Sequence, residues 1–450
     1  MRRYIVPLCM AAILFGPGRA GAQPYPQPYP QPYPQPYPQP FQQPFQQPFQ
    51  QPYPQPPLPA IEPSARPSEG AEPLRLETAL ALAAAGNFSL SAAAREIDAT
   101  EGAIRQARTF PNPEVAVAME DTRRETRATT AQLNLPIELG GKRAARISAA
   151  ERGRDVAQAQ WRSTRADLRA TVIAAFFGVA VAQERVRLAT ASVDVARKGA
   201  DAAARRVAAG KVSPLEETRA AVEQANAELE LADATAELQS SRQALAALWG
   251  NASPQFTEVR GDLDALPSRP APAQLLAALD DSPLLLASRL EVSRRQALVD
   301  VERSRRYPDI TVSVGTKRDN EANRTMPVLG VAIPLPLFDR NQGNLYESIR
   351  RADKAADEFL ANRIRLANEL QQASNQLAVS RSSAQALKET VLPAAQRAYD
   401  AATRGFEAGK FDFLNVLDAQ RTLFQARIRY LGVLARAYQA ATTIDRIVGR

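Results

Sequence analysis

The sequence has 450 residues, with 56 Lys and Arg against 48 Asp and Glu, no histidine and one cysteine. The net charge of +8 is spread along the chain and not gathered in one block, which argues against a nucleic-acid-binding face. Without histidine, and with its one cysteine at position 9, the chain lacks the usual nucleophile–base pairs, so catalysis is not expected.

Arg2 and Arg3 precede a short apolar stretch, Ile5 to Phe15, and Ala20-Gly21-Ala22 fits the small-residue cleavage rule. A signal peptide is predicted over 1–22, with export and a mature start at Gln23. Cys9 lies inside this leader, too close to Arg3 to be a lipidation site, so the mature chain has no thiol and no disulfide. Residues 23–54 are eight tetrapeptides of the form Gln-Pro-Tyr-Pro or Gln-Pro-Phe-Gln. Proline at this density predicts an extended, disordered Pro/Gln-rich linker, here placed over 23–73.

Helix is predicted from Leu74 to Thr109, with a break near Gly86-Asn87, and Phe110-Pro111-Asn112-Pro113 stops it. The period then changes to two. Val115, Val117 and Met119 alternate with Ala116 and Ala118, and Leu133, Leu135, Ile137 and Leu139 alternate with polar residues. Strands are predicted at about 113–120 and 129–139, with Gly140-Gly141 closing the second. Lys142 to Ala208 contains no proline and predicts one helix of roughly 100 Å. Its longest nearly apolar run, Ala170 to Ala182, falls below the ~18–20 residues of a membrane-spanning helix. Gly210 suits a left-handed helix end. Ser213-Pro214-Leu215-Glu216 then predicts an N-cap and capping box for a returning helix.

The second half says the same again. Phe110-Pro111 returns as Tyr307-Pro308, Pro136 as Pro334, Ala209-Gly210-Lys211 as Ala408-Gly409-Lys410, and Gly250 as Gly449. Strands are predicted at about 309–316 and 327–337. A proline-free helix covers Asn344 to Val391, Gly409 ends the descending helix, and Asp412 caps the return. The expected organisation is a repeat over 74–250, an inter-repeat linker over 251–275 and a second repeat over 276–450.

Strands near ten residues with one apolar and one small or polar face have the pattern of a transmembrane barrel. A half-buried soluble hairpin would show it too, but two equivalent hairpins in an exported chain favour the barrel. Four strands cannot close, since about eight are needed, and open edges in lipid leave backbone groups unpaired. The chain must therefore oligomerise. Three copies give twelve strands above twelve long helical segments, a conduit and not an active site. A periplasmic coiled-coil tether without a pore is the alternative, and it leaves the hairpins unexplained.

Over residues 75–449 the chain resembles the TolC-like outer-membrane efflux proteins. The resemblance rests on Phe110-Pro111-Asn112-Pro113, Leu139-Gly140-Gly141-Lys142-Arg143, the run Ile333 to Gly343, and the tips Arg206 to Lys211 and Arg404 to Lys410. The Gly-Gly-Lys-Arg and Pro-Leu-Phe-Asp-Arg-Asn-Gln-Gly forms are most similar to the heavy-metal efflux branch. Drug-efflux and protein-secretion channels of the family are the alternatives. The resemblance implies a mainly α protein with a small β part. As a homotrimer it forms a 12-stranded barrel in the outer membrane of a Gram-negative bacterium, continued by a periplasmic α-helical barrel. The implied partners are a periplasmic adaptor, an inner-membrane pump that is usually proton-driven, and outer-membrane lipid, with no cofactor. Adaptor docking falls on Gly210, Lys211, Ser213, Gly409, Lys410 and Asp412. The periplasmic gate falls on Asn415 and Asp418, where Asn415 departs from the family's acidic residue.

Overall fold

The computed structural model describes residues 69–449 apart from Ala71 and Asp264. The predicted signal peptide and the linker up to residue 68 lie outside the described residues. In chain order the elements are β1 (Leu74–Arg75), α1 (Leu76–Gly86), α2 (Phe88–Arg108), β2 (Glu114–Glu120), β3 (Ala128–Ile137) and α3 (Lys142–Ala208). There follow α4 (Pro214–Ala247), β4 (Val259–Arg260), α5 (Pro272–Ala277), α6 (Pro283–Ser304), β5 (Ile310–Asp319) and β6 (Arg324–Ala332). The chain ends in α7 (Gln342–Ala386), α8 (Leu392–Glu407) and α9 (Phe413–Val448).

The break between α1 and α2 has a local cause. The Asn87 side chain accepts from the Leu90 N–H at 2.9 Å, capping α2, and donates across the fold to the Leu248 carbonyl at 2.8 Å. Each repeat then runs helix, hairpin, long helix, tip, returning helix. α3 holds 67 residues, so it spans about 100 Å, and it packs along α2, α4, α6 and α9. Its counterpart in the second repeat is jointed. Leu387–Val391 winds as a π turn between α7 and α8, two residues ahead of Pro393. Pro393 has no N–H for the Glu389 carbonyl and its ring would press on it, so the wider turn relieves both. The repeat offset places Asp194 at this position in α3, and that helix continues unbroken.

The main core sits midway along the helices. Leu74, Leu82, Val172, Phe176, Val179, Leu245, Trp249, Phe256 and Val259 form one buried cluster, with β1 paired parallel to β4 beside it. A second cluster gathers Leu285, Leu366, Leu370, Ile444 and Ile447. α3 carries an 18-residue stretch long and apolar enough to cross a membrane by length and composition, longer than the apolar run counted in the sequence, and 39% of it is buried. Val172, Phe176 and Val179 on this helix are fully buried against protein, so its apolar character serves a core.

The linker expected to reach residue 73 gives way earlier. Glu69 is only 4% exposed, and its carboxylate accepts from Trp249 Nε1 at 2.7 Å, Asn251 Nδ2 at 2.8 Å and the Gln255 N–H at 3.1 Å. Burial alone would raise its pKa, but these donors, with its own backbone N–H, outweigh burial and hold it below the ordinary 4.5. A carboxylate whose folded pKa is depressed stabilises fully above the unfolded value, and that stability drains away as pH falls through the folded pKa. Glu69→Gln is therefore expected to cost about 1–3 kcal/mol at pH 7 and to flatten the loss of stability below pH 4.5. Thermal melts of both proteins between pH 7 and pH 3 check this, and parallel curves would contradict it.

Candidate functional site: sheet, junction and helix tips

The four long strands form one antiparallel sheet in the order β2-β3-β5-β6. Its register aligns the apolar positions of all four. Val115 faces Leu133, Leu133 faces Val314, and Val314 faces Leu329. The next row runs Leu135, Val312, Val331. Among the described residues nothing covers this face, where Leu329 is 80% and Val115 72% exposed. The opposite face is mostly polar or small, with Met326 and Val328 of β6 as its larger apolar members. There the Ser313 hydroxyl donates to Asn134 Oδ1 at 2.7 Å, and Lys317 Nζ pairs with Glu120 at 2.8 Å. Among the described residues β2 and β6 each leave one edge unpaired.

The fourth strand, expected to run to 337, stops at Ala332. Pro334 and Pro336 remove two donors there, and β5, its partner, begins only at Ile310. β3 likewise ends at Ile137 and not at 139, because the Leu139 N–H turns to Asp309 Oδ1 at 3.1 Å. This carboxylate, which the sequence pattern did not single out, also pairs with Lys142 Nζ at 2.7 Å. It stitches the first repeat to the second just below the sheet. Gly140 and Gly141 adopt φ of 69° and 73°. The ring of Tyr307 lies 2.6 Å from where a Cβ on Gly140 would stand, so only glycine fits. Arg146 pairs with Glu138, and the Arg143 guanidinium lies 4.3 Å from the centre of the Phe110 ring.

At the far end both hairpins close alike. Gly210 and Gly409 take φ of 68° and 70°. The Lys211 N–H donates to the Arg206 carbonyl at 2.9 Å, and the Lys410 N–H to the Gly405 carbonyl at 2.8 Å. These are Schellman ends, and they leave both lysines exposed at the tips. Ser213 Oγ accepts from the Leu215 N–H at 3.3 Å, while the Glu216 N–H bonds the Ser213 carbonyl at 2.9 Å. The capping box therefore does not close, because the hydroxyl is spent one residue early. Asp412 holds the N-cap position of α9, but its side chain makes no cap bond. The tips touch each other: the Arg206 guanidinium lies 4.9 Å from the Phe406 ring centre. Ala203, Ala220, Ala402 and Val416 fill the space between the four helices.

Asn415 and Asp418 lie three residues apart on one face of α9, both exposed, with Val416 turned inward. Among the described residues no group of three or more acidic, thiol or imidazole side chains could hold a metal ion.

A sheet with one apolar and one largely polar face, open at both edges and standing on a helical body whose longest helix, α3, spans about 100 Å, defines the protomer of an outer-membrane channel. The sequence pattern of the family described as "Outer membrane efflux protein" matches residues 79–251 and 275–450, one match per repeat, and the chain belongs to that family. It is 70% identical over 384 residues to the cobalt-zinc-cadmium resistance protein CzcC of Cupriavidus metallidurans, covering 85% of this chain and 92% of that one. Solved structures share the fold. A membrane protein from Pseudomonas aeruginosa matches with a TM-score of 0.73 at 21% identity, covering 83% of this chain and 92% of its own. CusC matches with a TM-score of 0.70 at 19% identity, covering 83% and 91%.

The protein is thus a non-enzymatic efflux channel of the outer membrane of a Gram-negative bacterium, with its helical part in the periplasm. Three copies share a twelve-stranded barrel, and the channel associates with an adaptor and an inner-membrane pump. The soluble tether is excluded, since it gives the exposed apolar sheet face no partner.

Proposed function

We propose that this channel is the outer conduit of a pump for divalent heavy-metal cations such as cobalt, zinc and cadmium. The supporting observation is the 70% identity to CzcC across 92% of that protein. The chain offers an exported cation few ligands: no histidine, and outside the predicted leader no cysteine, with Met119 and Met326 the two methionines. Metal crosses as passing cargo, and selectivity resides in the inner-membrane partner, which is proton-driven. Deleting the gene is expected to sensitise the cell to these three metals at least several-fold. Unchanged metal tolerance with lost tolerance to organic drugs would overturn the cargo.

In the same reading the adaptor seats on the tip residues Gly210, Lys211, Ser213, Gly409, Lys410 and Asp412. The two Schellman ends support this by fixing both lysines outward at equal places. Asn415 and Asp418 narrow the pore. Three symmetry-related Asp418 carboxylates would attract entering cations, as acidic rings do in cation channels. Asp418→Ala is expected to weaken block of the pore by divalent cations in a planar bilayer, and unaltered block would remove Asp418 from the gate.

A further inference from the structure

The loop end of the sheet carries charge that the conduit does not use. The helices join the sheet at the other end, beside Glu114, Ile137, Ile310 and Ala332, so the hairpin loops 121–127 and 320–323 face outside. Towards those loops the apolar face changes character row by row. Val115, Leu133, Val314 and Leu329 are followed by Val117, Ala131, Thr316 and Pro327, and then by Met119, Thr129, Arg318 and Thr325. Arg318 thus stands on the apolar side, about 13 Å along β5 from Val314, where hydrocarbon gives way to headgroups.

Arg318 is exposed, and its protein partners are neutral. Its Nη2 donates to Asn323 Oδ1 at 2.7 Å and its Nη1 to the Thr325 hydroxyl at 3.4 Å. Asn323 reaches it by taking a φ of 47° at the end of the β5–β6 loop. These bonds fix the guanidinium and leave its other N–H groups without an acceptor among the described residues. A second arginine stands beside it. The Asn320 N–H donates to the Arg127 carbonyl at 3.1 Å, which carries the β3–β5 ladder one step past Ala128 and Asp319. Arg127 therefore falls on the same face, diagonal to Arg318 at about 7–8 Å.

The acids of this rim are engaged elsewhere. Asp121 accepts from the Arg123 N–H at 3.0 Å and from the Thr126 hydroxyl. Asp319 accepts from the Ala322 N–H at 3.0 Å, and Glu120 pairs with Lys317, both on the opposite face. Glu125 and Glu321 are exposed in the loops. Among the described residues neither Arg127 nor Arg318 has an acidic partner. Two like charges so placed repel, and an anion between them relieves the repulsion. A guanidinium fork matches phosphate oxygens, and the Thr129 hydroxyl, opposite Arg318 in its row, offers a further donor.

We propose that Arg318 and Arg127 hold the phosphate of an outer-leaflet lipid headgroup, one site on each protomer. The site rests on the apolar face being the lipid-facing one and is independent of the cargo. The test is native mass spectrometry of the detergent-purified trimer after incubation with phosphorylated lipid A or its dephosphorylated form. The wild type is expected to retain the phosphorylated lipid several-fold better, and Arg127→Gln/Arg318→Gln to lose that preference with trimer yield unchanged. Equal preference in the two proteins would overturn the proposal. Should the double variant fail to assemble, Arg127→Gln alone, outside the strand ladder, is expected to lower the preference, and an unchanged preference there overturns the site as well. Lys317→Gln, one residue along on the opposite face, is expected to behave as wild type. An equal loss in Lys317→Gln would sink the lipid-facing assignment together with the site. Displacement of the lipid by inorganic phosphate at equal concentration would show a site for the bare anion and overturn the lipid as its occupant.

Discussion

Leu133→Arg is expected to remove most of the trimer from the outer membrane. Leu133 sits in the middle row of the apolar face, between Val115 and Val314. An arginine at the bilayer midplane of a barrel costs about 2–4 kcal/mol. Three copies carry it, so the barrel loses roughly three times that, comparable to the ~5–15 kcal/mol that holds a typical protein folded. Asn134→Arg, one residue on, points to the other face, where Asn134 bonds Ser313. It is expected to leave the trimer intact and to shift ion selectivity toward anions. Heat-modifiable trimer in the outer-membrane fraction is the measurement. Equal loss in the two variants would mean that both faces are packed in protein, and the lipid-facing assignment would fall.

Gly140→Ala should be the most damaging conservative change at the junction below the sheet. A left-handed conformation costs an alanine about 1–2 kcal/mol. The new methyl must also displace Tyr307, whose ring stands 2.6 Å from the Cβ position, adding about 1–3 kcal/mol of overpacking. Tyr307 lies two residues from Asp309, so its movement loosens the bonds to Leu139 and Lys142 as well. Gly141→Ala separates the two effects. Gly141 has a φ of 73° but nothing within 4 Å of its Cβ position, so only the backbone cost applies. Thermal unfolding of detergent-solubilised trimer should rank wild type, Gly141→Ala and Gly140→Ala in falling order. Equal losses in the two variants would show that Tyr307 can move freely.

Much of this architecture was legible because its causes are local or repeated. Alternation placed the hairpins, and the recurring Gly210/Gly409 and Gly250/Gly449 proved to be matched left-handed helix ends. What the sequence hid depends on distant partners. Asp309 is an ordinary acid until the fold brings it to Leu139, 170 residues away. Glu69 looked like the tail of a linker because Trp249, 180 residues on, supplies its donor. The end of β6 was overrun because the alternation of Leu335 and Leu337 continues past the point where prolines remove the backbone donors. Asp412 misled differently: its residue type and position suit a cap, yet α9 begins without its side chain. The docking and gating roles proposed for the tip residues rest on family resemblance, and their chemistry alone would not have picked them out.

Duplication usually yields twins, but here the second rod carries a knuckle that the first lacks. Leu387–Val391 trades the tight α ladder for one slack turn beside Pro393, while α3 runs straight through the matching height. A load travelling along the tube meets stiff and compliant members in alternation around the ring. Flexing at that level is expected to fall on three of the six hairpins, with the other three as struts.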